Sequence, residues 1–178
     1  MQESSSYRNE LSQYARDFEA RRRKQLWRDD SLFKAERMLF VGFLFVRKLI
    51  ECKKVTDACV RSSVTIQRSS LRRTREVSDF MRDDLLNDID SAEWVESVVD
   101  VHQLADKIIH VWWIMPVQSS QGGLHGHIFT TDRKRNSELW LLPTEAVVSV
   151  FQRFSREVIS SVHTRRDALG RLTYWQAT

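Results

Sequence analysis

The chain has 178 residues, 42% hydrophobic and 29% charged, the balance of a folded domain rather than of a disordered or fibrous chain. Five glycines and two prolines are too few for the tight turns of an all-β sandwich and favour long helices, and two cysteines cannot build a disulfide framework or a four-thiolate zinc site. The net charge is +4, and its sign hides an uneven distribution along the chain.

The spacing predicts a first helix over residues 7–27, where Tyr7, Leu11, Tyr14 and Phe18 recur three or four apart. Asp29, Asp30 and Ser31 interrupt it, and Asp30 or Ser31 can cap a second helix over 32–53. That helix is apolar on nearly every side between Met38 and Val46, which marks it as central. Nine residues flanked by Arg37, Arg47 and Lys48 are too few to span a bilayer, so no membrane is expected. Gly42 in its interior predicts a closely packed neighbour.

Val64–Arg68 alternates β-branched and polar residues and predicts a short strand. Residues 69–78 read as a serine- and arginine-rich loop, residues 80–86 as a short helix, and 94–99 fit either helix or strand. A clearer helix is predicted over 101–114, from Val101, Leu104, Ile108, Ile109, Trp112 and Trp113, stopped by Pro116. A β-hairpin is predicted over 124–142 with a polar tip at Thr131–Asn136, which with Val64–Arg68 makes a small three-stranded sheet. Pro143 and Thr144 open a last helix over 144–163, with the stripe Val147, Val150, Phe151, Phe154, Val158 and Val162. The tail from Arg165 onwards, with Tyr174 and Trp175, is expected to dock back loosely. The fold expected from these elements is mainly α within the α+β class. It is a single domain over 1–178, built as a bundle of about four main helices with a small antiparallel hairpin or three-stranded sheet.

Charge is segregated. Residues 53–75 hold seven basic residues against Asp57, or +6, and residues 79–100 hold eight acidic residues against Arg82, or −7. Either the two blocks neutralise each other on one surface, or they form a basic face for phosphate and an acidic face for a partner. The basic candidates for nucleic-acid contact are Arg72, Arg73 and Arg75, and Arg133, Lys134 and Arg135 at the hairpin tip.

His102, Asp106 and His110 stand at i, i+4 and i+8, one ladder along a helix face. A carboxylate between two imidazoles can orient a ring and raise its basicity, which suits general acid–base work. The two histidines stand ~12 Å apart along the axis at ~1.5 Å per residue, too far to share one metal ion. His125 and His127 alternate on the proposed hairpin and are the outside residues able to join a metal site; no full ligand set has metal spacing, and neither a metal nor a cofactor is expected. On the second helix Glu36, Phe40, Phe43 and Arg47 share a face. If that face meets the His110 helix, Arg47 and His110 converge.

The run Asp106-Lys107-Ile108-Ile109-His110, followed by aromatics and a hairpin, resembles the helical motif of HEPN domains (higher eukaryotes and prokaryotes nucleotide-binding). The family pattern is an arginine, a polar residue, three residues and a histidine. Asp106 and His110 take the last two places, and Ala105 stands where the family has its arginine. The helix ending Phe45-Val46-Arg47-Lys48-Leu49-Ile50 is similar to the core helix of uncharacterised bacterial proteins of the same layout. The resemblance implies a helical bundle that binds RNA, or a degenerate ribonuclease of bacterial defence or toxin–antitoxin systems. His110 would then act on the 2′-hydroxyl or the leaving oxygen without a metal, Asp106 beside it, with Arg47 standing in for the missing arginine. The other reading is a non-enzymatic helical protein that works through a protein partner, by way of the opposite charge blocks and six tryptophans. RNA or a protein is thus the expected partner, a homodimer is allowed, and a polar beginning with two cysteines suits a reducing cytoplasm.

Overall fold

Leu11, Ala15 and Phe18 are fully or almost fully buried along one stripe of α1 (Gln2–Arg22). That stripe packs on a second helix, α2 (Asp29–Glu51), and on the last one, α5 (Thr144–Arg156). The computed structural model describes residues 2–24, 29–71, 85, 89 and 92–178. Between α2 and α5 the chain runs through α3 (Asp57–Val60), β1 (Ser63–Ser70), β2 (Val95–Asp100), α4 (Val101–Ile109), β3 (Val111–Gln118), β4 (Leu124–Thr131) and β5 (Glu138–Pro143). A ribbon of β6 (Val162–Arg166) and β7 (Leu172–Ala177) follows α5.

The strands β1 to β5 form one antiparallel sheet in the order β2-β1-β5-β4-β3. Its two faces carry two apolar clusters. On the helical face, Ile66, Phe129, Trp140 and Leu142 join Phe18, Phe43, Leu104, Phe151 and Phe154. On the other, Ile128, Leu139 and Leu141 join Leu85, with Ile89, Trp94, Trp112 and Trp113 packed against them. The predicted close neighbour of Gly42 is Phe151: a Cβ there would lie 2.2 Å from its ring, which stands 5.3 Å from the Phe43 ring.

The expected four-helix bundle with a small sheet is therefore corrected to an α+β fold built on a five-stranded antiparallel sheet. The predicted hairpin and the 64–68 strand are the centre of that sheet rather than an attachment to a bundle. Differences at two helix ends and in the tail, and the outcome of one ambiguous segment, account for this. The helix expected over 101–114 ends at Ile109, and Val111–Gln118 is an edge strand. Val-Trp-Trp-Ile is β-branched and aromatic, so it favours strand. Pro116, which lacks an N–H, is tolerated where one side of the strand has no partner. A β-bulge at Trp112 lets both adjacent tryptophans pack against the same cluster, where a helix would have splayed them. The ambiguous segment is β2, the opposite edge. The helix expected over 144–163 ends at Arg156, because Glu157 adopts an extended conformation. Its backbone carbonyl accepts from Arg8, and its carboxylate accepts from the Thr56 N–H and hydroxyl. Val158 and Val162, assigned to the helical stripe, lie beyond it and are exposed. The tail is no loose segment but β7, paired antiparallel with β6.

The first two helices begin earlier than expected, at Gln2 and Asp29. Of the short helix expected over 80–86 only Leu85, which is helical, is described, and most of the 69–78 loop lies outside the described residues. No described helix is long and apolar enough to cross a membrane. Cys59 is buried and Cys52 exposed, both unpaired, and burial pushes the Cys59 thiol up to about 12.

Candidate functional site

The site is built around the end of α4. Asp100 caps this helix by accepting the Gln103 N–H at 2.7 Å. Val101, Leu104, Ala105 and Ile108 fill one side and are buried, which turns His102, Asp106 and Lys107 outward. His110 is the C-cap: its N–H still donates to the Asp106 carbonyl at 3.0 Å, but its backbone has left the helix and its side chain is exposed. The His110 carbonyl accepts from the Asp132 N–H at 3.4 Å, which ties the helix end to the short turn Asp132–Lys134 between β4 and β5.

That tie brings three elements around one open cleft of about 590 Å³. Arg47 enters from the last turns of α2, Asp106, Lys107 and His110 from α4, and Thr131, Asp132, Arg133 and Lys134 from the hairpin tip. Arg47 is held from two sides. Its Nε donates to Glu51 at 2.7 Å, and its Nη1 lies 3.1 Å from Asp106 Oδ1. The Glu51 hydrogen bond first, then the Asp106 charge, raise the Arg47 pKa, so its positive charge is permanent. The Asp106 contact is an ion pair and not an aligned hydrogen bond, and Oδ1 itself is buried.

The cleft lining carries four cationic side chains and the carboxylates of Asp106 and Asp132, and Glu51 and Glu138 pair with Arg47 and Lys134 from just outside it. Burial lowers the Lys107 pKa, and the neighbouring Lys134 and Arg68 charges lower it further against the opposing effect of Glu138. The Lys107 ammonium stands 4.1 Å from the Trp140 ring centre, a cation–π seat that fixes it at the cleft wall. Glu138 accepts from Lys134 at 3.3 Å and lies 3.8 Å from Arg68, so an ion-pair network links the cleft to β1.

The structure thus brings together Arg47, Asp106 and His110, expected from α2 and α4, with Arg133 and Lys134 from the hairpin tip. Arg135 turns elsewhere, to Asp132 at 3.6 Å and over the Trp112 ring at 5.4 Å. Arg72, Arg73 and Arg75 lie outside the described residues. Ala105, at the position where the HEPN resemblance expects arginine, is 0% exposed and faces the core. A cation reaches Asp106 from another helix instead. His125 is exposed beside Arg22, Ser119 and Glu145, whereas His127 is fully buried with its ring edge-on to Phe18. Among the described residues no group of three or more histidine, cysteine, aspartate or glutamate side chains is arranged to hold a metal ion. Lys107 and Asp132 were missed as site residues. Lys107 adjoins Asp106 in the motif and was within reach of inspection, while Asp132 enters only through the pairing of β4 with β5.

No protein-family model, curated protein or solved structure matches this chain.

Proposed function

We propose that this cleft binds the phosphate backbone of RNA and presents it to His110 for cleavage. The observation that supports the reading best is the convergence, in one open cleft, of an exposed histidine with Arg47, Lys107, Arg133 and Lys134 from three separate elements. RNA carries its own nucleophile, the 2′-hydroxyl. Its oxygen attacks the adjacent phosphorus, the bond from phosphorus to the 5′-oxygen breaks, and the products are a cyclic phosphate and a 5′-hydroxyl. The reaction needs a group that takes the 2′ proton or returns one to the leaving oxygen, and cations for the charge that builds on the phosphoryl oxygens. The exposed His110 imidazole carries the type of group that the first task needs. Arg47 has a fixed charge and a fixed position for the second. Asp106 acts as a positioning residue for Arg47. The run Asp106 to His110 is like the HEPN motif in sequence alone, since the fold around it is an α+β sheet and not the bundle which that resemblance implies, and Arg47 takes the arginine's role in this reading. A cytoplasmic home goes with an RNA substrate and two unpaired thiols.

The test is incubation of a labelled single-stranded RNA with wild type, His110→Ala and Arg47→Ala. Wild type should cut, and each variant should lose about a hundredfold or more in rate, the usual size of an acid–base or oxyanion contribution. His110→Ala should still bind RNA, while Arg47→Ala should lose binding as well as rate. Wild type that binds but never cuts removes the catalytic role of His110 and leaves the binding cleft. Wild type that does not bind RNA removes the reading altogether.

A further inference from the structure

The β6–β7 ribbon has two unlike faces. Its register pairs His163 with Gln176 and Arg165 with Tyr174, and the strand alternation puts these four side chains on one face. Val162, Thr164, Trp175 and Ala177 alternate onto the other. The second face is anchored: Ala177 is 1% exposed, and the Lys53 ammonium sits 5.1 Å from the Trp175 ring centre. The first face is open, and its His163, Arg165, Tyr174 and Gln176 line a shallow hollow of about 350 Å³ together with Thr164 between them.

The composition of that open face is specific. An imidazole, a guanidinium, a phenol and a carboxamide are all planar groups with hydrogen-bonding edges. Arg165 lies over the Tyr174 ring at 5.5 Å, and the Tyr174 hydroxyl donates to Gln176 at 2.5 Å, so the planes are held ready. No carboxylate shares the face. Asp167, at the ribbon's turn, is occupied by the Arg171 guanidinium at 2.7 Å and by the N–H groups of Leu169 and Arg171. Folding does not account for this face, since a two-stranded ribbon gains little core of its own and these side chains remain open to solvent. Nor does it suit an apolar protein partner, because apart from Leu172 at the ribbon's turn end the alternation places no aliphatic side chain on it. Planar cationic and aromatic groups stack on unpaired bases, and their edges hydrogen-bond to base edges.

We infer that the open face of the β6–β7 ribbon is a stacking platform for single-stranded nucleic acid. It is separate from the cleft and does not depend on the cleavage chemistry there.

The experiment measures fluorescence anisotropy of a labelled single strand of about twelve nucleotides, as RNA and as DNA. A His110→Ala background keeps the RNA intact. Tyr174→Leu should weaken binding about tenfold, the size of one stacked base, and Tyr174→Phe should retain it. Arg165→Gln, which leaves the aromatic ring in place, should weaken binding about fivefold and guards against loss of the ribbon's structure in Tyr174→Leu. An abasic strand of equal length should bind more weakly than the base-bearing one to the parent protein, with no further loss in Tyr174→Leu. RNA and DNA of equal affinity support a platform that reads bases alone, and tighter RNA supports one that also reads the 2′-hydroxyl. The inference is overturned if Tyr174→Leu and Arg165→Gln bind like their parent, if Tyr174→Phe loses as much as Tyr174→Leu, or if duplex binds more tightly than single strand. Loss of binding in Arg133→Gln/Lys134→Gln with none in the ribbon variants assigns RNA to the cleft and likewise overturns the platform.

Discussion

His127 shows how one residue can carry a global property. It is 0% exposed, neither ring nitrogen has a hydrogen-bond partner, and burial pushes its pKa down to about 4. The unfolded chain takes up the proton near the ordinary value of 6.5, while the folded chain resists it until about 4. The folded state is therefore fully stable with respect to this group above pH ~6.5 and loses stability as pH falls from there towards ~4. At pH ~4.5 the loss amounts to roughly 2–3 kcal/mol. His127→Leu keeps the volume class and removes the titration. Urea midpoints at neutral pH and at pH ~4.5 should show wild type losing roughly 2–3 kcal/mol more than His127→Leu over that interval. Equal losses would show that another group governs acid sensitivity. The alternation of His125 and His127 was visible in the sequence, but not which of them would face Phe18 and the core. That depends on α1 crossing the sheet, a contact between residues more than a hundred positions apart.

At the scale of the element, α4 is the piece on which the cleft depends. Nine residues are too few for a stable helix in isolation, so its cap and its packing on α2 hold it together. Asp100→Ala removes the side-chain acceptor of the Gln103 N–H and should cost about 1 kcal/mol, read as a lower urea midpoint, with Asp100→Asn close to wild type. Because Asp106, Lys107 and His110 ride on this helix, Asp100→Ala should also weaken RNA binding while leaving every cleft side chain in place. A stable, capless variant with unchanged binding would detach the cleft from α4. The same element marks where pattern reading succeeds and fails. The stripe Val101, Leu104, Ile108 is helical and was legible. Trp112 and Trp113 extend that spacing by coincidence, and only the pairing of β3 with β4 distinguishes a bulged strand from another helical turn. In β5 the run Leu139-Trp140-Leu141-Leu142 is buried on both faces and lacks alternation, yet its place across a polar tip from Leu124–Thr130 made it legible as a hairpin strand. The shared face of Glu36, Phe40, Phe43 and Arg47 on α2 was legible, and α2 does meet α4 there. The arrival of Asp132, Arg133 and Lys134 was not, because it follows from hairpin register.

Across the whole molecule, charge is better described by place than by sum. A net charge of +4 on 178 residues says little about partners. The cleft concentrates four cations beside two carboxylates, and the ion pairs of Glu138 with Lys134 and Arg68 link it to β1. Backbone binding releases counterions, so the logarithm of affinity should fall with the logarithm of salt at about −0.7 per neutralised phosphate on a single strand. Arg47 is already shared between Glu51 and Asp106, and Lys134 with Glu138, so each gives less than a full unit. A slope between about −1.5 and −2.5 is expected for the cleft. If the proposed RNA cleft holds, Arg133→Gln/Lys134→Gln should weaken binding uniformly across RNA sequences and flatten the slope by about 1, since cations on an exposed turn would meet phosphates rather than base edges. Thermal stability of that variant should stay within a few degrees of wild type, because Lys134 loses only an exposed ion pair. A titration series from low to moderate salt decides the matter. A slope near zero in wild type means that binding is not carried by phosphate contacts, and the cleft would then need a neutral ligand that its four cations do not suit.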